Sequence, residues 1–416
     1  IIIDIESKFN NNPATTIQVI RRRVTVHIDY TAEQRALRSE LREYFQSLMT
    51  PELIEATRGN EGGEAYKSVI RQIGQDGWLA LGWPKEYGGQ GRGPMDQMIF
   101  FEEAQLARAP LPFVTISTVA PAIMAHGSEA HKAFFLPKIA AGELHFAIGY
   151  TESDAGSDLA ALKTTAVLEG DEWVINGTKV YTSSAEAADY IWLAARSDLE
   201  AARPHAGISI FMVDAHQPGF SFAPIHTVGG VRTNMSYYND VRCPNDMICG
   251  QVNGGWKLIT SQLNHERVGL AAIGIYAYGL YQDVLAWSRE PDAAGVRPID
   301  DATVQRLLAE CYARLEAMRL MTWRMAWSME HGEPEVAYAS AMKAFSTEGL
   351  IAVYRLLMDA MGPASMLHRG SAGAALAGDL EEEYRKCQIN TFGGGVVELM
   401  RDLVAAFGLN MRAYSR

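Results

Sequence analysis

The order of the periodic patterns along the chain limits its fold more strongly than any single motif. Apolar residues recur at helical spacing in the first part of the chain, short strand patterns separated by glycine and proline follow, and helical spacing then returns. A doubly wound parallel sheet needs alternating strands and helices, so this order argues against it. The sequence therefore predicts an α+β fold with an N-terminal helical domain over residues 28–147, a middle β domain over 148–254 and a C-terminal helical domain over 255–416.

Local signals predict where several elements lie. Thr31-Ala32-Glu33-Gln34 has the pattern of a capping box at the start of a helix. Asn176-Gly177 follows the predicted strand Glu172-Trp173-Val174-Ile175 and is typical of a two-residue hairpin turn. Further helices are predicted around Val69–Ile73, Ile99–Leu106, His131–Ala141 and Ile299–Met329, and further strands at Tyr190–Ala195, Gly207–Val213 and Ser236–Val241.

Composition narrows the classes of partner and cofactor. The formal net charge of −12 disfavours nucleic acid and anionic membranes and leaves small molecules and proteins as partners. No apolar run reaches the roughly 18 residues of a membrane-spanning helix, so no membrane segment is expected. The four cysteines are scattered, which favours a reducing cytoplasm over a disulfide framework. No histidine or glutamate pair has metal-ligand spacing, so no metal is expected.

The first 27 residues differ in texture from the rest of the chain. Ile1-Ile2-Ile3 is too short for the apolar core of a signal peptide, and Asp4 and Glu6 stand where a basic region would be expected. We predict a poorly ordered extension over residues 1–27. An arm that binds a partner is the alternative.

Four segments combine residue types that suit a catalytic site. The loop Tyr150-Thr151-Glu152-Ser153-Asp154-Ala155-Gly156-Ser157-Asp158 is rich in hydroxyls and carboxylates, and Lys179-Val180-Tyr181-Thr182-Ser183-Ser184 offers an aromatic face and hydroxyl donors. Leu263-Asn264-His265-Glu266-Arg267-Val268 places a carboxylate on one helical face, and Thr391-Phe392-Gly393-Gly394-Gly395 lets the backbone approach a ligand closely. Taken singly, these segments are also typical of a turn, an ordinary strand and a solvated helix face.

Together the four segments resemble the acyl-CoA dehydrogenase family, over about residues 28–416. The first is similar to the family pattern Thr-Glu-Pro-x-Ala-Gly-Ser-Asp, with Ser153 in place of proline, and the second to Lys-x-Trp-Ile-Thr-Asn. The fourth, continued to Asp402, is similar to the signature Gly-Gly-x-x-Glu-x-x-Arg-Asp. The resemblance implies a middle β-barrel or sandwich domain between an N-terminal helical domain and a C-terminal four-helix bundle, with FAD as the cofactor.

The resemblance also implies roles for individual residues. The residues that it assigns to FAD are Tyr150, Thr151, Ser157, Tyr181, Thr182, Ser183, Val396 and Glu398. The residues that it assigns to the acyl-CoA substrate are Ser157, Asn264, Arg267 and Gly395.

The resemblance places the catalytic base in the less common of two positions. Most members have a glutamate in the late C-terminal loop, whereas a minority, such as the isovaleryl-CoA type, have it on an earlier helix in a Leu-x-x-Glu-Arg context. This chain has Gly394 at the late position and Glu266 at the early one. Glu266 is therefore the expected base for the Cα proton, and the Gly394 N–H is the expected donor to the thioester oxygen.

Two family segments that bind the ADP half of FAD across a homodimer are missing. Where Arg-x-x-Phe-Gly and Gln-x-x-Gly-Gly-x-Gly belong, this chain has Trp287-Ser288-Arg289-Glu290-Pro291-Asp292 and Met358-Asp359-Ala360-Met361-Gly362-Pro363-Ala364. We therefore expect a related acyl-CoA dehydrogenase chain to complete the FAD site. This pattern resembles the base-bearing subunit of the α2β2 enzymes of actinobacterial steroid side-chain breakdown, which implies a steroid side-chain CoA ester as substrate. Electron-transfer flavoprotein is the electron acceptor that the family implies.

Three other interpretations stay open at this point. The chain is alternatively a homomeric fatty or branched-chain acyl-CoA dehydrogenase, which would bind FAD when expressed alone. An acyl-CoA oxidase or a nitroalkane-oxidase-like enzyme would use oxygen as fast as an artificial electron acceptor. A non-catalytic partner subunit would leave its complex fully active after Glu266→Gln.

Overall fold

The computed structural model describes residues 29–260, 274–291, 294–332 and 336–411, so the extension predicted over residues 1–27 lies outside the described residues. Helices occupy the beginning and the end of the described chain, and one β-sheet lies between them. None of the helices in these ranges is both long and apolar enough to cross a membrane. The order of the elements confirms the predicted α+β fold class.

The N-terminal part is helical, and its first helix begins at the predicted capping box. Thr31 Oγ1 accepts a hydrogen bond from Gln34 N at 3.1 Å, and Thr31 N donates to Gln34 Oε1 at 2.9 Å, which satisfies two backbone donors at the helix start. The helices are α1 (Ala32–Leu48), α2 (Pro51–Thr57), α3 (Glu64–Gln75), α4 (Pro94–Leu106), α5 (Ala120–His126) and α6 (Glu129–Ala140).

The middle part folds into one sheet whose two halves face each other. The strands are β1 (Phe146–Gly149), β2 (Thr165–Glu169), β3 (Glu172–Lys179), β4 (Tyr190–Arg196), β5 (Ile208–Asp214), β6 (Phe220–His226), β7 (Arg232–Pro244) and β8 (Ile248–Cys249). Their order is β6-β7-β3-β2-β4-β5-β8, with β1 parallel to β4, and a single pair, Thr165 with Arg196, joins β2 to β4. The Trp173 and Phe211 rings meet 5.5 Å apart between the two halves, which gives the sandwich-like core.

The hairpin predicted at Asn176-Gly177 is wrong. Strand β3 continues through both residues, and the turn that joins it to β2 is Gly170-Asp171. Asn176 lies at a β-bulge against β7, where its amide donates to Asp240 Oδ1 at 2.9 Å. A Cβ on Gly177 would lie 2.4 Å from Thr164 Oγ1, so this glycine serves a close approach within the sheet instead of a turn.

Strand β4 is buried on both faces, which explains its continuous apolar sequence. Ile191 and Leu193 point into the core between the two halves of the sheet, whereas Trp192 and Ala194 point into the core formed with the N-terminal helices. Successive side chains of a strand point to opposite faces, so a strand between two cores needs apolar residues at every position. The N-terminal helices therefore pack directly on the sheet.

The C-terminal part is again helical. Residues 255–260 form helix α7, and the later helices are α8 (Gly274–Arg289), α9 (Ala302–His331), α10 (Val336–Met361), α11 (Asp379–Cys387) and α12 (Val397–Leu403). Helices α8 to α11 share one apolar core, to which Leu280, Leu315, Leu350 and Leu380 contribute. The domain boundaries after residues 147 and 254 stay predictions.

A buried carboxyl group lies where the N-terminal helices meet α9. Glu102 on α4 is 3% exposed and accepts a hydrogen bond from the Tyr30 hydroxyl at 3.0 Å, and the Tyr30 ring lies 4.5 Å from the Trp323 ring on α9. Burial raises the pKa of Glu102 to about 7, although the Arg38 charge and the Tyr30 hydrogen bond oppose the rise. The folded chain therefore holds a proton on Glu102 more tightly than the unfolded chain does.

We expect Glu102→Gln to change the pH dependence of stability. Since the folded pKa is raised, the contribution of Glu102 is complete below the unfolded pKa and is lost as the pH rises towards 7. The variant should therefore exceed the wild type by about 3 kcal/mol in free energy of unfolding at high pH and should converge with it towards acid pH. Urea unfolding of both proteins between about pH 5 and 8 measures this difference. A difference that does not change with pH would contradict the assignment.

Candidate active site

The loop Tyr150–Asp158 follows β1, and the side chain of Glu152 within the loop fixes its position. Glu152 Oε1 accepts hydrogen bonds from Lys179 Nζ at 2.8 Å and from Thr164 N at 2.9 Å, and Oε2 accepts one from Lys163 N at 2.6 Å. Lys179, at the end of β3, is fully buried and also donates to the Tyr150 carbonyl at 3.0 Å. The ion pair therefore joins the first two of the predicted site segments.

Both members of this pair keep their charges at neutral pH. Burial lowers the pKa of Lys179 to about 8, and attraction to Glu152 opposes this fall. Burial raises the pKa of Glu152, but the Lys179 charge and the hydrogen bonds from Thr164 and Lys163 outweigh burial and leave the pKa below its ordinary value. The loop is consequently fixed by a charged pair that water barely reaches.

The segment Tyr181-Thr182-Ser183 directly follows β3 and alternates between solvent and interior. Tyr181 has a positive φ of 62° and is 63% exposed, and Ser183 is also exposed. Thr182 is fully buried, and its N–H donates to the Asn234 carbonyl on β7 at 2.9 Å. Ser183 Oγ lies 3.1 Å from Thr233 Oγ1, and it keeps its own proton to donate when Thr233 donates to it.

Polar contacts from distant parts of the chain fix this segment, and no sequence signal predicted them. Ser184 Oγ donates to Glu61 Oε2 at 2.8 Å from the loop between α2 and α3. Arg232 Nε donates to Glu186 Oε1 at 2.7 Å, and Asn234 Nδ2 donates to Glu186 Oε2 at 2.6 Å. These contacts hold the backbone so that the Tyr181 ring and the Ser183 hydroxyl face outwards.

A buried lysine that was not predicted from the sequence donates hydrogen bonds to the glycine turn, Gly393–Gly395. Gly394 and Gly395 have positive φ values of 65° and 105°, and Gly394 is exposed. Lys343 on α10 is only 6% exposed, and its Nζ donates to the Gly393 carbonyl at 2.6 Å and to the Gly395 carbonyl. A Cβ on Gly395 would lie 2.9 Å from Met400 Cε, so the turn packs closely against α12. The available sequence signal was one lysine, between Met342 and Ala344, on an apolar helix.

Helix α12 begins directly after the glycine turn. Val396 caps the helix through its carbonyl, which accepts from Met400 N at 3.0 Å, and Glu398 is exposed in the first turn. Arg401 on α12 binds Glu348 on α10 at 2.7 Å. The helix is therefore attached to α10, the helix that also contains the lysine beneath the turn.

One contact ties the sheet to the C-terminal side of the candidate site. Arg385 Nη1 on α11 donates to the Val228 carbonyl at 2.7 Å, in the turn that leads into β7. Strand β7 pairs with the Tyr181 segment through Asn234, and α11 leads through the short 3-10 helix Gln388–Thr391 into the glycine turn. The two parts of the candidate site are thus joined by a direct contact between their supporting elements.

Three predicted residues lie outside the described residues. Asn264, Glu266 and Arg267 belong to residues 261–273, which lie between α7 and α8 in the sequence. Their roles stay predictions. Ser157 is described and is exposed in the loop before β2.

The described residues fit a flavin ring. Tyr181 offers an exposed aromatic face, Ser183 an exposed hydroxyl, and Gly394 an exposed N–H group in a turn without side chains. Such a set suits a planar aromatic group with polar edges. Among the described residues, no group of three or more histidine, cysteine, aspartate or glutamate side chains could hold a metal ion.

Three domain models of one family match the chain. They are those of the acyl-CoA dehydrogenase N-terminal domain over residues 31–143, the middle domain over residues 147–241 and the C-terminal domain over residues 253–409. The chain therefore belongs to the acyl-CoA dehydrogenase family, and the resemblance inferred from the four segments is confirmed.

The chain is similar to one relative and two solved structures over nearly its whole length. Acyl-CoA dehydrogenase FadE26 of Mycobacterium tuberculosis is 48% identical over 401 residues, which cover 94% of this chain and 100% of the relative. A chain of the ChsE4-ChsE5 complex from Mycobacterium tuberculosis is 49% identical with a TM-score of 0.88 and covers 93% of this chain and 100% of its own. A chain of the Tcur3481-Tcur3483 steroid ACAD gives the same identity, TM-score and coverage.

We expect the Lys179–Glu152 pair to support both stability and the site. Lys179→Met should lower the free energy of unfolding by about 3 kcal/mol, because it leaves a largely buried carboxylate without its partner. Lys163→Met is the matched control, since Lys163 pairs with Asp154 on the same loop but both side chains are more than 70% exposed. Urea unfolding of the two variants measures the difference, and equal losses in both would contradict a special role for the buried pair.

Proposed function

We propose that this chain is the base-bearing subunit of a heteromeric, FAD-dependent acyl-CoA dehydrogenase that acts on steroid side-chain CoA thioesters. One observation carries the proposal: the chain is 49% identical, over 93% of its length, to a chain of the ChsE4-ChsE5 complex and to a chain of a steroid ACAD. Family membership by itself supports only the coarser function of an acyl-CoA oxidoreductase. The residues of the candidate site support the finer one.

Each proposed residue has one task in the reaction. Glu266 takes the proton from Cα of the thioester. The Gly394 N–H donates to the thioester oxygen as negative charge develops there. FAD, when bound, supplies the acceptor for the hydride from Cβ. Asn264, Arg267, Ser157 and Gly395 bind the acyl-CoA.

The residues that the sequence predicts as flavin contacts come from three segments that the fold supports independently. They are Tyr150, Thr151 and Ser157 in the first loop, Tyr181, Thr182 and Ser183 after β3, and Val396 and Glu398 at the start of α12. The exposed Tyr181 ring and Ser183 hydroxyl suit direct contact with the flavin ring. The side chain of Thr182 faces the interior, where its hydroxyl lies 2.9 Å from Ser236 Oγ, so we assign it to holding the segment through the sheet.

The proposal of a heteromer is supported by residues 287–292 and 358–364, which occupy the positions of the family's ADP-binding segments. After α10, Gly362 has a φ of 74° and leads into a loop whose Arg369 binds Glu55 and Glu382 of the same chain, each at 3.4 Å. Ser288, near the end of α8, is fully buried. These residues make contacts within their own subunit, and residues 358–364 lack the family pattern Gln-x-x-Gly-Gly-x-Gly, so we assign the ADP half of FAD to a related second chain.

A cavity with apolar and polar walls lies between the N-terminal helices and α9. The described residues form an open cavity of about 210 Å³, whose apolar walls include Leu79, Trp83, Phe100, Phe101, Ile116 and Met329 and whose polar walls include Gln97 and Ser117. Its wall adjoins β1, because Thr115 Oγ1 accepts from Phe146 N at 2.9 Å. The volume is below the roughly 300 Å³ of a small ligand pocket, so we propose that it accepts only part of a steroid acyl group.

The acceptor and the compartment are part of the same proposal. All four cysteines are free and buried, which suits a reducing cytoplasm. Electron-transfer flavoprotein is the proposed acceptor on the ground of family membership.

The first test is the visible spectrum of the purified chain, alone and co-expressed with a related acyl-CoA dehydrogenase chain. We expect a colourless protein alone and a yellow complex with about one flavin per pair of chains, because the cofactor needs contacts from both. A yellow homo-oligomer with FAD in every chain would contradict the heteromer and favour a homomeric enzyme for fatty or branched substrates.

The second test concerns the base. In the complex, Glu266→Gln should lower kcat by roughly 10²-fold to 10⁴-fold while the flavin content stays unchanged, because the substitution removes a proton acceptor and keeps the side-chain shape. Glu43→Gln on the exposed face of α1 is the control and should retain full activity. Full activity of Glu266→Gln would identify this chain as a non-catalytic partner.

A further inference from the structure

Lys343 is a charged group in apolar surroundings. It lies on α10 between Met342 and Ala344, which are 2% and 8% exposed, and is itself 6% exposed. Burial of an ammonium group costs free energy unless hydrogen bonds replace its water. The Gly393 carbonyl at 2.6 Å and the Gly395 carbonyl provide such bonds. The lysine is thus placed where it binds two carbonyls on either side of Gly394.

The hydrogen bond to Gly393 has a direct consequence for Gly394. The C=O of Gly393 and the N–H of Gly394 belong to the same planar peptide unit, and the two groups of a trans peptide point in opposite directions. When Lys343 fixes the carbonyl on the α10 side, the Gly394 N–H must point away from α10. The chemistry of the peptide therefore couples a buried side chain to an exposed backbone donor.

The sequence of the turn does not by itself select this peptide orientation. Gly393, Gly394 and Gly395 follow one another, and glycine populates both signs of φ about equally. The Gly393 N–H is already used, since it donates to the Ile389 carbonyl at 2.7 Å. This bond anchors the start of the turn and does not involve the Gly393–Gly394 peptide.

The ammonium group also changes the strength of the donor. A hydrogen bond to a carbonyl polarises its peptide unit, which makes the N–H of that unit a better donor. Charge-assisted bonds polarise more strongly than neutral ones. The Gly394 N–H, whose peptide unit is polarised by the Lys343 ammonium group, is therefore suited to bind a substrate oxygen that gains negative charge during the reaction.

We propose that Lys343 is a positioning residue for the reaction: its ammonium group orients the Gly393–Gly394 peptide and strengthens the Gly394 N–H as donor to the thioester oxygen. This inference rests on the role proposed above for Gly394. Lys343 acts through the peptide and does not touch the substrate.

The test uses the heteromeric complex with Lys343→Met, which keeps the length and apolar stem of the side chain. We expect kcat to fall roughly tenfold to hundredfold with little change in KM, because the donor matters most once charge develops on the oxygen. Lys343→Gln keeps a neutral hydrogen-bond donor group without the charge and should lie between Lys343→Met and the wild type. Glu43→Gln on the exposed face of α1 is again the control and should retain the wild-type kcat.

The relative affinity for two ligands distinguishes this role of Lys343 from a purely structural one. A 3-oxoacyl-CoA that binds as its enolate imitates the developing oxyanion, whereas a neutral enoyl-CoA product does not. Lys343→Met should weaken the enolate ligand roughly tenfold or more and the neutral ligand much less. Equal weakening of both ligands, or an unchanged kcat, would overturn the inference.

Failure of the inference is distinguishable from failure of the proposed function. A wild-type complex that dehydrogenates acyl-CoA while Lys343→Met keeps full kcat overturns only the role of Lys343. A wild-type complex without dehydrogenase activity overturns the proposed function and this inference together. If Lys343→Met does not fold, Lys343→Gln decides, and the same preferential loss of the enolate ligand is then required.

Discussion

The structure of the candidate site depends on one buried ion pair. Lys179 is fully inaccessible to solvent, and Glu152 nearly so, yet their charges lie 2.8 Å apart and the carboxylate receives further bonds from the start of β2. A lone charge in this position would cost several kcal/mol, whereas a pair with every acceptor satisfied is stable. Because Lys179 ends β3 and Glu152 lies in the loop after β1, the pair sets the position of one segment relative to the other. The Tyr181 segment starts from this fixed point.

The glycine turn is also fixed by a buried lysine, Lys343, which binds different partners. Lys343 donates hydrogen bonds to two backbone carbonyls, and it holds a segment of three glycines that have no side chains with which to anchor it. In both places a buried lysine on a regular element fixes an irregular segment that faces outwards. Irregular backbone needs such support, since its polar groups are not satisfied by a helix or sheet ladder. The outward face of each segment is then left for a ligand.

Local signals predicted what depends on a few neighbouring residues. The capping box at Thr31 is present because its two hydrogen bonds lie within one helical turn. Asn176-Gly177 was misleading, since the preference of this pair for a hairpin turn is weaker than the pairing of β3 with β7 on both sides of it. The contacts of Glu61, Arg232 and Glu186 had no local signal at all. They join residues as far as 123 positions apart, and their meeting depends on how the helices pack on the sheet.

The sequence by itself determined the order of the elements, the four site segments and the family to which the chain belongs. Each of these features depends on residues that are close together along the chain. Only the tertiary structure decided which side chains support the segments: Lys179 reaches across 27 positions to Glu152, and Lys343 across 50 to Gly393. It also decided that the Thr182 side chain faces the interior while Tyr181 and Ser183 face outwards. The physical reason is that a buried charge selects its partners by proximity in space, which only the packed chain defines.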